Sequence, residues 1–205
     1  MKQRKAQLER KSKETEIKIS LNIDGQGKTK IKTNIGILDH MLELFAFHGF
    51  FDIDLNVKKA DINVDIHHTN EDVGIVLGKA FKEALGNKEG IRRFGFAAAP
   101  MEATLATAVI DISGRGYFKL SFEAGVIRPS VTTQDGYAFT YLEHLLESFA
   151  LSLGANINIR LQNLSNDLHT NLETVFKSFG LALDEATRLE PRRKGIIPST
   201  KGIID

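Results

Sequence analysis

The sequence predicts an α+β fold built from two similar halves, on two observations. First, the hydrophobic pattern switches between period two and period 3.6, and the switching starts again about halfway along the chain. Second, the letters repeat. Leu38-Asp39-His40-Met41-Leu42-Glu43 corresponds to Leu142-Glu143-His144-Leu145-Leu146-Glu147, and a Phe-Ala pair follows each. His67-His68-Thr69-Asn70-Glu71 corresponds to His169-Thr170-Asn171-Leu172-Glu173, and Gly78 and Gly180 each lie seven residues beyond the glutamate. Equal placement of this kind marks a duplicated unit.

Residues 1–13 hold Lys2, Arg4, Lys5, Arg10, Lys11 and Lys13 and few large apolar groups, which predicts a flexible N-terminal arm. From Glu14, Ile17, Ile19, Leu21 and Ile23 alternate toward a DGQG turn, and a second alternating run follows, predicting a β-hairpin. Leu38, Met41, Leu42 and Phe45 have helical spacing and end at Gly49, a C-cap residue. Alternation returns in FDIDLNVKKADINVDI, and EDVGIVLGKAFKEALG is helical up to Gly86. The first half-domain, residues 14–89, therefore reads ββαββα. The second, 90–190, runs through RRFGFAAAP, the apolar ATLATAVIDIS and a strand in YFKLSFEA, then helix YLEHLLESFALSLG, strand INIRLQN and helix NLETVFKSFGLALDEATRLE. Residues 191–205 have neither period and read as an extended tail.

Composition removes whole classes of chemistry. A chain of 205 residues buries enough surface to need no structural staple. It has no cysteine, which excludes disulfides, thiol nucleophiles and metal–thiolate sites. With 27 basic and 26 acidic residues there is no electrostatic footprint for nucleic acid. No apolar run is long enough for a bilayer, and no apolar segment follows the basic start, so the expectation is a cytoplasmic protein with no membrane partner. GxxxxGK[ST] is absent, as is a convincing GxGxxG between strand and helix, which disfavours a nucleotide cofactor.

Five of the six histidines, His40, His67, His68, His144 and His169, fall at the duplicated positions. Taken singly, each would read as a hydrogen-bonded core, cap or surface residue. Packing alone gives no reason to place His-x3-Glu after a helical histidine twice. His67 and Glu71, like His169 and Glu173, are four apart and can face one ion from the first turn of a helix. His40 and His144 can add imidazoles, a donor set suited to Mn, Zn, Fe or Co. His68 cannot face as His67 does, so it points to a second ion or to one shared with another subunit. Separately, Arg93, Arg115, Lys177, Ser199 and Lys201, spread over four stretches, offer cationic and hydroxyl groups for a phosphate.

Over residues 10–205 the chain resembles the imidazoleglycerol-phosphate dehydratase family of histidine biosynthesis. The stretches that carry the resemblance are Glu14-Thr15, Ile35-Gly36-Ile37-Leu38-Asp39-His40-Met41-Leu42, His48-Gly49, Asp65-Ile66-His67-His68-Thr69-Asn70-Glu71-Asp72, Gly90-Ile91-Arg92-Arg93-Phe94-Gly95, Pro100-Met101 and Asp111-Ile112-Ser113-Gly114-Arg115. His144, Glu173, Phe176-Lys177 and Pro198-Ser199-Thr200-Lys201-Gly202 extend it to the end.

The resemblance implies that each half is a four-stranded sheet with two helices on one face. It implies a homo-oligomer of 24 subunits with metal sites between them. It also implies a manganese-dependent lyase with two ions per subunit and no organic cofactor. The substrate would be a small phosphorylated imidazole, D-erythro-imidazole-glycerol phosphate, and the product imidazole-acetol phosphate. The proton to be lost sits on an unactivated side-chain carbon, so the implied chemistry polarises the imidazole on metal and takes that proton with a positioned carboxylate. By resemblance Glu14 is this base. Glu71 and Glu173 act in the site as metal ligands beside His40, His67, His68, His144 and His169. Arg93, Arg115, Lys177, Ser199 and Lys201 hold the phosphate. The chain departs from the family's pattern where Thr170 stands for the second histidine of His-His-x-x-Glu, Ala103 for an acid, Asn34 for glycine, Gly116 for proline, and Asn158 for a common histidine. These departures leave one metal position short of an imidazole and admit an alternative: a homologue with weak or lost dehydration that still binds metal or an imidazole-phosphate ligand.

Overall fold

The computed structural model describes residues 4–123, 133, 134 and 136–204. The first half contains β1 (Lys5–Lys11), β2 (Glu16–Asn22), β3 (Thr29–Lys32), α1 (Gly36–His48), β4 (Asp52–Lys59) and α2 (Ile66–Leu85). The second contains β5 (Phe94–Met101), β6 (Thr104–Asp111), β7 (Tyr117–Phe122), the short strands β8 (Thr133–Gln134) and β9 (Tyr137–Ala138), α3 (Phe139–Leu153), β10 (Asn156–Gln162) and α4 (Leu168–Thr187). The main sheets have the orders β1-β2-β4-β3 and β5-β6-β10-β7. In each, only the pair joining the third strand to the last is parallel. The expected α+β fold with duplicated halves is therefore present, each half following a βββαβα path.

Three expectations fail, each for a local reason. Lys5–Lys11 is not a flexible arm but β1, antiparallel to β2 along its length. Its alternation was hidden because its inward positions are Ala6 and Leu8, small or only half-buried, between charged residues. Strands β2 and β3 do not form a hairpin, because both pair with β4, which lies between them. Asp52, at the start of β4, accepts the N–H groups of Gln26 and Lys28 at 2.8 and 3.0 Å and the Asn22 amide at 3.2 Å, so the connecting loop passes around the end of β4. ADINVDI is not a strand either: the Asp61 N–H donates to Thr69 Oγ1 at 2.9 Å, and Asp65 caps α2 by accepting the His67 N–H at 3.0 Å. Short polar side chains take backbone groups that a sheet would otherwise use.

The helices cover the inner faces of the sheets, and each also reaches across to the other half. Helix α2 packs on β1 and β2 and against α3, while α4 packs on β5 and β6 and against α1. Glycines set the closeness of both crossings. A Cβ on Gly74 would lie 2.4 Å from the Leu145 carbonyl oxygen, and one on Gly78 would lie 2.5 Å from that of Phe149. A Cβ on Gly180 would meet the Phe45 carbonyl oxygen at 2.4 Å. Behind these contacts Phe45 stacks on Phe179 at 4.8 Å between centroids and meets Phe81 and Phe149 edge-on. All four rings are buried, so one core joins the two halves. Full burial of a phenylalanine is worth about 1.5–3 kcal/mol, which makes the junction a main source of stability. No helix among the described residues is long and apolar enough to cross a membrane.

Candidate metal centres

Because α1 packs on α4 and α2 on α3, each His-x3-Glu pair of one half faces the helical histidine of the other. Both helices that carry such a pair start at an aspartate cap, Asp65 for α2 and Asp167 for α4, which fixes where the first turn begins.

On α1 and α4, His40 Nε2 and His169 Nε2 lie 3.2 and 2.9 Å from the same atom, Glu173 Oε1. Their rings stack at 5.3 Å. Lys177 donates from Nζ to the other oxygen, Glu173 Oε2, at 2.5 Å. Burial alone would raise the Glu173 carboxyl, but hydrogen bonds from Lys177, His40 and His169 together with the lysine's charge hold it below the usual carboxylate range. Donor atoms of His40, His169 and Glu173 lie within 4.8 Å of one another. Ligands bound at about 2.0–2.2 Å around a common ion are separated by distances of this kind. The donor set therefore fits a divalent ion.

On α2 and α3, His67 Nδ1 and His144 Nδ1 are 2.8 Å apart, and His67 Nε2 lies 3.4 Å from Glu71 Oε2. The same residue types meet, but His67 turns one nitrogen to each neighbour. Glu71 is 43% exposed, against 12% for Glu173.

His68 lies apart from both groups. Its Nδ1 is 2.9 Å from Asp61 Oδ2, and its ring shares a third cluster with Asp61 and Glu14. The Asp61 hydrogen bond raises the pKa of this imidazole. The turn bearing Glu14 is fixed: Ser12 Oγ accepts the Glu14 and Thr15 N–H groups at 3.1 and 3.0 Å, and Thr15 Oγ1 donates to Asp72 Oδ2 at 2.5 Å.

The phosphate candidates are partly assembled. Arg93 binds Asp111 through Nε and Nη2 at 2.6 and 3.1 Å and donates from Nη1 to the Pro198 carbonyl at 3.0 Å, which ties the tail to β6. Ser199 follows directly, and its Oγ accepts the Lys201 N–H at 3.2 Å. Arg115 stands exposed in the turn after Ser113, and Lys177 remains with Glu173 rather than with these groups. Asp61, Asp72 and Asp111 were not among the sequence candidates. Asp61 and Asp111 each hold a candidate side chain, and Asp72 holds Thr15 next to Glu14; only Asp61 lies outside the stretches that carry the family resemblance.

The sequence profile of the imidazoleglycerol-phosphate dehydratase family matches residues 33–183. The chain belongs to the imidazoleglycerol-phosphate dehydratase family. Curated members of the imidazoleglycerol-phosphate dehydratase family agree along almost the full length. The Geobacter metallireducens protein is 46% identical over 199 residues, covering 97% of this chain and 98% of its own. The one from Lachnoclostridium phytofermentans is 45% identical over 203 residues, covering 98% and 99%. Among solved structures, the Pyrococcus furiosus enzyme superposes with a TM-score of 0.78 at 34% identity, covering 96% of this chain and 99% of its own. The Staphylococcus aureus imidazoleglycerol-phosphate dehydratase gives 0.75 at 31%, covering 91% and 99%.

The departures from the family pattern now have surroundings. Asn34 takes a left-handed backbone, φ 70°, as the usual glycine would, and its amide donates to the Val57 carbonyl at 2.8 Å. Thr170, only 5% exposed, donates from Oγ1 to the cap residue Asp167 at 2.9 Å. Its side chain serves the helix start. Ala103 is exposed in the β5–β6 turn beside Met101, whose Sδ lies 3.7 Å from Lys177 Nζ.

Proposed function

We propose that the chain is a hydro-lyase that removes water from D-erythro-imidazole-glycerol phosphate to give imidazole-acetol phosphate, a step of histidine biosynthesis. The observation that carries this reading is the convergence of His40, His169 and Glu173 from two halves of the chain, in a member of this family. Manganese is the ion we assign, two per chain. His40, His169 and Glu173 would hold one, His67, His144 and Glu71 the other, and His68 is a ligand donated to a neighbouring copy. Bound there, the ions supply the Lewis acidity that polarises the substrate's imidazole ring.

The chain's own residues do the rest. Glu14, on its fixed turn, takes the proton from the side-chain carbon. Arg93, with its Asp111 clamp, and Arg115, Ser199 and Lys201 hold the phosphate, with Lys177 alongside. Residues 191–205 thus form a substrate-contacting tail, and 14–89 and 90–190 act as the half-domains that position the metals. We assign a cytoplasmic homo-oligomer of 24 subunits, with no nucleic-acid or membrane partner and no organic cofactor. Exposed Phe47 and Leu151, at matching positions of α1 and α3, support association between copies.

The test is turnover by the full-length protein with its manganese quantified. Product should form, disappear with a chelator and return with manganese. A metal-replete assembly that releases no imidazole-acetol phosphate would overturn the assignment. Thr170 favours one second reading, a homologue that binds metal or the imidazole-phosphate ligand with weak or no turnover. The same assay, run beside a ligand-binding measurement, separates the two.

A further inference from the structure

His67 and His68 are adjacent on α2, but their rings serve different partners. His67 faces His144 and Glu71, whereas His68 gives its Nδ1 to Asp61 at 2.9 Å. Asp61 is itself held, since its N–H donates to Thr69 Oγ1 at 2.9 Å and Thr69 is fully buried. A carboxylate that accepts from Nδ1–H selects the tautomer that leaves the Nε2 lone pair free, and the His68 side chain is 41% exposed, so an ion from solvent can reach the ring.

The second half offers a comparison inside the same chain. Counting back from the two helices, Thr170 stands opposite His68 and Asn163 opposite Asp61. The imidazole and the carboxylate are absent together, as they would be if each were useful only with the other.

We propose that Asp61 is a positioning residue for His68, holding Nδ1–H so that Nε2 is presented as a metal ligand. The proposal rests on the reading of His68 as a ligand above. Asp61 touches neither ion nor substrate. It sets the angle of the ring and raises its basicity toward the metal, whereas Glu14, in the same cluster, keeps its own role as base.

The experiment is manganese titration of the metal-free full-length protein, followed by the electron paramagnetic resonance signal of the free ion. Asp61→Ala should weaken one ion per chain by about 10- to 100-fold and leave the other unchanged, the range typical of a residue supporting a ligand. Asp61→Asn, whose carbonyl can still accept from Nδ1, should recover most of that loss. His68→Ala should affect the same ion, and adding Asp61→Ala to it should cost little more. A purely structural Asp61 would lower the melting temperature equally with and without His68 and spare the ion. Unchanged binding in Asp61→Ala, or a loss that adds fully to that of His68→Ala, would overturn the proposal. So would loss of the same ion in Glu14→Gln, which would make the trio a cation site in its own right. If the unsubstituted protein bound no manganese, the functional reading itself would fail. A protein that binds and turns over normally, with Asp61→Ala unaffected, would break only this inference.

Discussion

The two helix pairs, α1 with α4 and α2 with α3, carry a histidine and a His-x3-Glu pair at corresponding positions and arrange them differently. Between α2 and α3 two glycines, Gly74 and Gly78, let backbones meet. The imidazoles of His67 and His144 are pressed nitrogen to nitrogen, and Glu71 is left toward solvent. Between α1 and α4 the residue opposite Gly74 is Phe176, fully buried, and only Gly180 keeps its counterpart. There both imidazoles converge on one oxygen of Glu173, and Lys177, where the other half has Ile75, takes the second. The repeat keeps a histidine and a His-x3-Glu pair in each half, though Thr170 replaces the counterpart of His68; the packing residues around them decide how they converge.

The sharpest way to break this comparison is to exchange side-chain size at the corresponding position. Phe176→Ala should cost about 3–5 kcal/mol by opening a cavity, seen as a lower midpoint in chemical denaturation. A cost under about 1 kcal/mol would mean that the α1–α4 crossing does not depend on that ring.

Next is the ligand contrast. Glu173→Gln removes the carboxylate from the convergent set and should lower turnover by more than about 100-fold with loss of one manganese per chain, beyond the effect of merely supporting residues. Glu71→Gln should lose the other ion. If both variants lost the same ion, the two groups would be one site.

Gly74→Ala, the converse of the Phe176 change, should destabilise by about 1–3 kcal/mol, because its Cβ has a backbone carbonyl in its way. Thermal melts of the two variants therefore test whether one repeat position tolerates growth in one half and shrinkage in the other. The smallest expected effect is that of Thr170→His, which restores the second imidazole to the second half. It should tighten one manganese per chain by up to about tenfold, less whatever the lost bond to Asp167 costs. No change in the manganese titration would show that the second half works without that ring.

Much of this was legible in the letters, and what was not had a physical reason. The duplicated histidines and glutamates stand on long amphipathic helices, where period 3.6 is strong, so α1 to α4 and the candidate ligands on them could be found. β1 was hidden because an edge strand of small and charged residues alternates weakly. The placing of β4 between β2 and β3 depends on Asp52, a side chain acting on a loop more than twenty residues earlier, which no local period records. Likewise Asp61 and Asp111 sit beside their histidine and arginine only because strands and helices bring them there. The pairing of each His-x3-Glu with the other half's histidine is tertiary, and the repeat alone would equally have allowed ligands to be matched within a half.

That exchange of partners has a consequence for what the smallest working unit must be. Neither half brings a histidine and a His-x3-Glu pair together by itself, because α1 meets α4 and α3 meets α2. A chain of one half, folded against a second copy of itself, would already possess both sets, and they would be identical by symmetry. Joining the copies into one polypeptide is what permits them to differ, so Phe176 and Lys177 could settle on one side and Gly74 and His68 on the other without either change being imposed twice.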